Sequence, residues 1–566
     1  MRALLLPGAC LLAIAPFFWW GSASGHDFEF HMNSWMEVLA QWKHGIVYPR
    51  WAALAHWGFG EARFLFYPPA SWTLGAALGA ALPWPMVPGA YCWIALMLAG
   101  TAMYRLARQW LAPRDALFAA LFYALNPYHL LIVYWRSAYA ELLASALLPL
   151  LLLCVLRMFP RESEPVRPIL GLSLTLAAAW LTNVPAAVMI HYSAAGLVLV
   201  LTAREAVRAR SCSPLICRPL LRTALAVVLG AGLASFYLVP AIYEQKWVDL
   251  TQVLSPGVRP QDNFLFTNTA DPDHNRFNLL VSMLALAEIG ALLFAIWASW
   301  QKKPVFAVTP GSPVPCHPTQ SHAPWMLISA WGLGSAFLML SLSNLFWQHL
   351  PKLRFAQLPF RWLLCLNAAL AMLLAMAAKR WTSRLLVPAV LLGVLIAAGH
   401  RTQPPWWDTA DDIREMTDAF DDETGYEGIE EYVPAGADLD QLNKSLPRIS
   451  DQAGAPVPAQ ILTWLQTEKH FVVHASRPEN LDLHLFNYPA WQVTVNGRSA
   501  PTETAHPTGI LVIPILEGSN DVWVRFRRTL DRTIGNAISG FSLILLAVVW
   551  IRTRPKLIPP KRKDNP

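Results

Sequence analysis

Charge is scarce in this chain. Only 14% of its 566 residues are Asp, Glu, Lys or Arg, while 55% are hydrophobic and 26 are Trp. An ordinary soluble protein carries roughly a quarter charged residues, so the shortage excludes a large soluble enzyme and indicates a polytopic membrane protein. Cysteine is scarce as well. There are 7, an odd number, with Cys10, Cys92, Cys154 and Cys365 in apolar segments and Cys212, Cys217 and Cys316 in polar loops. Such a dispersed set implies no disulfide framework, and Cys212 with Cys217 lacks the second pair that a zinc site needs. The loop thiols read as reduced and cytosolic. The net charge of +7 does not mean nucleic acid, because the basic residues fall in short clusters between apolar segments. That is the positive-inside pattern of membrane proteins, and no nucleic-acid partner is expected.

The apolar segments are expected to form about twelve spans. They run near Ala3–Trp20, Val87–Tyr104, Asp115–Tyr134, Glu141–Arg157, Ile169–Leu181, Val184–Thr202, Ala224–Tyr243, Phe277–Trp300, Trp325–Leu342, Trp362–Ala378, Leu385–Ala398 and Ile534–Ile551. The first is read as a retained span rather than a cleaved signal, since its positive flank is Arg2 alone. The Gly- and Ala-rich stretch before Leu82 is short for a span and reads as a re-entrant or surface helix. With the basic clusters inside, both termini are expected to be cytoplasmic. Residues 1–399 then form the membrane domain, with residues 21–85 as its first external loop. Residues 400–533 are extracytoplasmic, and 534–566 supply the last span and a basic tail.

From His400 the pattern changes. Asp408 to Asp440 is rich in Asp and Glu with little apolar periodicity, and reads as a solvated, partly irregular loop. Beyond it, short alternating runs at Lys469–Ala475, Leu481–Phe486, Trp491–Val495, Gly509–Leu516 and Val522–Phe526, with a hairpin turn at Asn496-Gly497, predict a small antiparallel β domain. The fold class is thus an all-α polytopic membrane protein with a β domain near the C-terminus.

Three polar clusters stand at the external ends of spans. The first is Gly25-His26-Asp27-Phe28-Glu29-Phe30-His31, where the chain leaves the first span. Phe28, Met32, Trp35, Leu39 and Trp42 recur at helical spacing, which predicts an amphipathic helix along the membrane surface, with Glu29, Asn33, Glu37 and Lys43 on other faces. Asp27 either caps this helix or serves as a base or cation ligand, with His26, Glu29 and His31 beside it. The second cluster holds Arg136 and Glu141, which form a structural ion pair or leave Arg136 to hold a phosphate. The third runs from Pro351 to Trp362 and places Lys352, Arg354 and Arg361 on the side that the positive-inside tendency disfavours. Lipid headgroups or a lipid-linked phosphate would account for them.

Taken together, these motifs resemble the GT-C superfamily of membrane glycosyltransferases. More closely, His26-Asp27 with His31, Tyr48-Pro49-Arg50-Trp51, Phe66-Tyr67-Pro68-Pro69, Arg136 with Glu141, and Gln357-Leu358-Pro359-Phe360-Arg361 are similar to bacterial membrane proteins labelled "6-pyruvoyl-tetrahydropterin synthase-related". The run Tyr488 to Gly497 resembles the β region of YfhO-like proteins. The soluble pterin synthase is a small zinc enzyme, a fold that a chain with some twelve spans cannot share. The resemblance implies a GT-C-like fold and transfer of a sugar from a polyprenyl-phosphate donor to an extracytoplasmic glycan, lipid or protein acceptor. It places the chain in a bacterial cytoplasmic (inner) membrane, makes Asp27 the base or metal-positioning residue, makes Arg136 and Arg361 ligands of the donor phosphate, and gives His26, His31, Tyr67, Glu141 and Arg354 to substrate binding. Many members carry two adjacent acids in this loop, whereas here Asp27 is followed by Phe28, so a divalent cation (Mg or Mn) is left open. Two competing readings are a lipid or polysaccharide transporter or flippase, and a non-catalytic scaffold whose β domain binds a partner.

Overall fold

The computed structural model describes residues 4–158, 166–209, 214–302, 323–378 and 380–553. Cys212, Cys316, the Cys217 side chain, most of the proline-rich loop before Pro324 and the basic tail from Lys556 lie outside the described residues. Eight helices among those described are long and apolar enough to cross a membrane. Two more segments are bent, Arg218–Leu233 with Ser235–Trp247 by 77° and Pro324–Leu338 with Ser341–His349 by 93°, which gives up to ten if each pair is one span. Leu5–Trp20 and Val166–Thr182 are apolar but short. The expected twelve is reached only by adding both bent pairs and both short helices. The first segment is broken into Leu5–Ala13 and Phe17–Trp20 by the turn at Pro16. Proline removes a helical hydrogen bond there, so the run falls short of the roughly 20 residues that a bilayer needs.

The centre of the bundle is the helix Leu363–Ala377, buried along almost its whole length. It packs against Pro272–Lys302, Ala323–Leu338 and Pro113–Ala124. An all-round apolar sequence suits such a position.

The expected surface helix forms over Phe28–Lys43, but it does not lie open along a bilayer face. Residues 31–38 are buried without a break. The short helix Pro69–Gly79 packs on it, bringing Gly75 against the Trp35 ring. The polar residues read as a solvated face instead hold the backbone of the following loop. Glu37 accepts the Ala53 N–H, and Gln41 Nε2 donates to the Trp51 carbonyl at 2.7 Å. Burial pushes the Glu37 carboxyl up to about 7, against the hydrogen bond from Ala53.

The β region is a sandwich of two antiparallel sheets. We number its strands β1 (Ile449–Asp451), β2 (Ala459–Trp464), β3 (Glu468–Ala475), β4 (Glu479–Phe486), β5 (Trp491–Val495), β6 (Arg498–Ala500), β7 (Glu503–Ala505), β8 (Ile510–Ile515) and β9 (Gly518–Phe526). One sheet has the order β1-β4-β8-β7, the other β2-β3-β9-β5-β6. Alternate residues, including Phe471 and Val473 on β3 and Val522 and Val524 on β9, meet Leu481 and Leu483 from β4 in a shared core. Asn496 and Gly497 both take positive φ, 51° and 75°, and close the β5–β6 hairpin. Five strands, β3, β4, β5, β8 and β9, fall where alternation marks them. β1, β2, β6 and β7 are too short or too exposed to alternate.

Glu244 ties this domain to the bundle. It receives Arg532 Nε and Nη2 at 2.7 and 2.8 Å and the Tyr488 hydroxyl at 2.7 Å. Within the domain, Lys469 is 5% exposed between Trp464 and Trp491, and burial pushes its ammonium down to about 7. An unfolded lysine keeps its proton to about pH 10.4, so the unfolded state binds more protons between those values and stability rises with pH across that window. Lys469→Met is therefore expected to raise the melting temperature at pH 7 and to flatten its increase between pH 7 and pH 10. Thermal unfolding of the solubilised protein at stepped pH checks this, and an unchanged pH slope would contradict it.

Candidate active site

Three span ends meet at one carboxylate. The span Pro113–Arg136 finishes in a π-helical turn over Ile132–Arg136, and Ser137, at φ 48°, reverses the chain so that Tyr139–Met158 returns. The reversal sets Glu141 one turn into the returning helix, beside Arg136. Arg136 Nη1 donates to Glu141 Oε2 at 2.6 Å, and Tyr128 Oη donates to Oε1 at 2.7 Å. From the far end of the sequence, Arg361 sits in the 3-10 turn Pro359–Trp362 that opens the central helix, and its Nε reaches the same Oε2 at 3.0 Å. Glu141 and Arg136 are buried, and Arg361 is nearly so. A carboxylate shared by two guanidiniums leaves one positive charge in excess, which favours a further anion.

Asp27 is docked onto this reversal by its backbone. Its N–H donates to the Arg136 carbonyl at 2.9 Å, the Gly25 N–H donates to Ser137 Oγ at 2.9 Å, and Ser137 Oγ donates to the Ala23 carbonyl at 2.8 Å. Gly25 is needed here because a Cβ would come within 2.4 to 2.5 Å of the backbone of Trp135 and Arg136. Asp27 occupies the N-cap position of Phe28–Lys43, yet its side chain makes no capping bond. Among the described residues no group donates to its carboxylate. Capping therefore does not account for it.

The carboxylate opens into a cavity of about 450 Å³. His26, His31, Tyr67, Glu141 and Arg361 line the same cavity. His31 is 1% exposed, its Nδ1 has no partner, and its ring lies between those of Tyr67 and Tyr139, 5.8 and 5.2 Å away. Burial, with Arg63 nearby, pushes the imidazole down to about 3, so it is neutral at physiological pH. Arg361 spends Nε on Glu141 and Nη1 on Ala356 and Gln357, and Nη2 has no hydrogen-bond partner among the described residues. Two expectations change. Arg136 does not line the cavity but stands behind Glu141, and Arg354 is exposed outside it with its guanidinium over the Phe355 ring. Arg354 precedes Gln357, whose φ of 57° turns the chain before Arg361 enters its 3-10 turn, so the two arginines do not share a face.

One acid was not legible as a site residue. Glu431, in the acidic segment expected to be solvated, lines the cavity with Asp27. The segment around it is a strap laid over the loop that follows the Phe28–Lys43 helix. Its Ile429 N–H donates to Glu61 Oε2 at 2.7 Å, its Tyr432 carbonyl accepts the Ala62 N–H at 3.4 Å, and the Tyr432 ring stacks on Phe66 at 6.1 Å. Gly428 lets it lie flat, since a Cβ there would strike the His56 ring. Burial works against a charge on Glu61, but Arg63, His56 and the Ile429 N–H hold its carboxyl below the usual range. Arg63 in turn donates Nη1 to Ser34 Oγ on the Phe28–Lys43 helix at 3.0 Å, so helix, loop and strap share one buried network. Burial and the negative charges of Glu61 and Asp27 raise the Glu431 carboxyl. The only sequence signal was a run of acids, the same signal that a solvated loop gives.

Among the described residues no group of three or more His, Cys, Asp or Glu is arranged to hold a metal ion. Asp27 and Glu431 would be two ligands of a divalent cation, and the residues present do not make up a metal site on their own.

These features define a multi-pass membrane protein with a largely apolar cavity that holds a few ionisable groups between its span ends, and a strap from the β-domain side. No protein-family model and no curated protein matches the chain. Among solved structures it is similar to two cryo-EM structures of the arabinofuranosyltransferase AftD from Mycobacteria. One, a mutant, has 15% identity and a TM-score of 0.41 over 70% of this chain and 27% of that one. The other has 16% identity and a TM-score of 0.37 over 70% and 26%. The chain spans about a quarter of the length of those structures. At these values the likeness does not establish a shared fold, and the site stands on its own geometry.

Removing Glu141 should be costly, because it leaves two buried guanidiniums facing one another. Glu141→Gln is expected to destabilise the protein by about 3–5 kcal/mol, whereas Arg354→Ala stays within about 0.5 kcal/mol. Thermal unfolding of both variants decides it, and equal melting temperatures would show that the shared carboxylate does not hold the span ends.

Proposed function

We propose that this chain is a GT-C-type membrane glycosyltransferase that moves a sugar from a polyprenyl-phosphate donor to an acceptor hydroxyl at the extracytoplasmic membrane surface. The observation that carries this reading is that the unpartnered Asp27 carboxylate and the Arg361 guanidinium line one cavity. A base and a phosphate ligand are what such a transfer requires. The acceptor, a glycan, lipid or protein hydroxyl, attacks the anomeric carbon as Asp27 takes its proton. The bond from that carbon to the phosphate oxygen breaks, and the lipid phosphate leaves with the electron pair. Arg361 stabilises the charge that grows on the phosphate, which lowers the barrier because the interaction strengthens in the transition state. Arg136 acts through Glu141, aligning Arg361 without touching the donor. His31, a neutral hydrogen-bonding group among aromatic rings, suits a sugar hydroxyl. The location, in a bacterial inner membrane with the cavity and β domain outside, belongs to the same proposal.

The test is transfer from radiolabelled polyprenyl-phosphate sugars by the full-length protein in lipid nanodiscs. Asp27→Asn is expected to lower transfer at least about 100-fold with membrane insertion and melting temperature unchanged. Arg361→Gln is expected to weaken binding of a polyprenyl monophosphate about tenfold or more. Normal transfer by the Asp27 variant would sink the catalytic assignment.

A further inference from the structure

The cavity holds two carboxylates where the proposed reaction has so far used one, and they come from opposite ends of the chain. Asp27 lies at the start of its helix, fixed to the Arg136 carbonyl. Glu431 lies in the strap turn Glu430–Tyr432, fixed through Ile429 to Glu61 and through Tyr432 to Ala62. Both walls are pinned by hydrogen bonds to neighbouring segments, so the two acids stand on fixed backbone rather than on a loose loop. Acids elsewhere in this segment and loop are differently used. Glu430 is exposed, Glu61 is paired with Arg63 and His56, and Glu29 is exposed outside the cavity. A further observation points to a ligand between the two walls. The His31 Nδ1, buried and without a partner, belongs to a ring that lines the same space.

Charge decides what Glu431 can do. Around the cavity Arg136 and Arg361 are opposed by Glu141, Asp27 and Glu431, with His31 neutral. If all three acids were ionised, the site would be net negative and would repel an entering phosphate. Among these acids Glu141 is held by two guanidiniums, and burial with the neighbouring acids raises the Glu431 carboxyl, so Glu431 is the one suited to carry a proton. Paired carboxylates pushed to different protonation states divide the roles of acid and base.

We propose that Glu431 is the second acid of the reaction: protonated, it hydrogen-bonds the phosphoryl oxygen that gains charge as the sugar departs, while Asp27 takes the acceptor's proton. This rests on the transferase reading and adds a partner to it. The step balances as before. The acceptor oxygen bonds the anomeric carbon, the carbon–phosphate oxygen bond breaks towards phosphorus, the acceptor proton ends on Asp27, and the Glu431 hydrogen is shared with the leaving phosphate.

The groups facing Glu431 are Asp27 from the helix, Glu61 from the loop that follows it and Tyr432 in its own turn. His26, His31, Tyr67 and Arg361 line the rest of the cavity. Burial and the carboxylates of Glu61 and Asp27 raise the Glu431 carboxyl against the hydrogen bond from Tyr432, so its proton is held to higher pH than an ordinary glutamic acid's and is lost as pH rises.

The experiment is the pH profile of kcat for transfer from a polyprenyl-phosphate sugar by the full-length protein in nanodiscs. Wild type should lose rate on the alkaline side as Glu431 ionises. Glu431→Gln, which keeps an N–H donor and cannot titrate, should stay within about tenfold of wild type at its optimum and lose that alkaline limb. Glu431→Ala should lower kcat about 100-fold or more with donor KM changed less than about threefold. Glu430→Gln, in the same turn, should match wild type and exclude a merely structural effect. An alkaline limb retained in Glu431→Gln, or a Glu431→Ala enzyme within threefold of wild type, would overturn the assignment. Transfer that depends on Asp27 but is indifferent to Glu431 sinks this inference alone, whereas a wild type that transfers from no donor sinks the transferase reading beneath it.

Discussion

The Glu141 carboxylate, buried and shared by Arg136 and Arg361, is the contact on which the rest of the site depends. Neither arginine would be tolerated at a span end in a low-dielectric bundle without it, and the carboxylate would not remain there without them. Sharing one acid between two guanidiniums fixes the end of one span, the start of the next and the entry to the central helix. The same arrangement leaves the triad one positive charge in excess, set against the Asp27 and Glu431 carboxyls that line the adjoining cavity. Structure and chemistry are served by one charge imbalance.

A second carboxylate, Glu61, does for the outer wall what Glu141 does for the inner one. Arg63, His56 and the Ile429 amide converge on it, and through Ser34 the network reaches the helix that begins at Asp27. The strap is therefore part of the cavity wall and not a tether to the β domain. Because Glu244 joins Arg532 and Tyr488 at the foot of that domain, the last helix, the β sandwich and the bundle are also coupled through buried polar contacts. Disturbing the β domain should then reach the cavity by displacing the strap, a route that needs no direct contact between sandwich and substrate.

Much of this was legible in the sequence, for physical reasons. Apolar runs, basic clusters and strand alternation report burial directly, so the helical bundle and the long β strands could be placed. Asp27, His31, Glu141 and Arg361 stood out because polar residues at span ends need partners or a purpose, whereas Tyr67 came from the family resemblance alone. What failed was anything set by long-range packing. The 16-residue helix from Phe28 looked amphipathic because its polar residues serve buried loop backbone instead of water. Arg136 and Arg354 looked equivalent to Arg361, but which arginine opens to a cavity depends on turns at Ser137 and Gln357 that composition does not reveal. Glu431 was hidden among acids most of which are in fact solvated.

The most direct measurement is a cryo-EM structure of the full-length protein in nanodiscs with a polyprenyl monophosphate bound. The phosphate is expected against the Arg361 guanidinium, with the Asp27 and Glu431 carboxyls on the walls facing it and Glu141 still holding both arginines. A phosphate seated elsewhere in the bundle, or an Asp27 side chain turned back to cap its own helix, would contradict it.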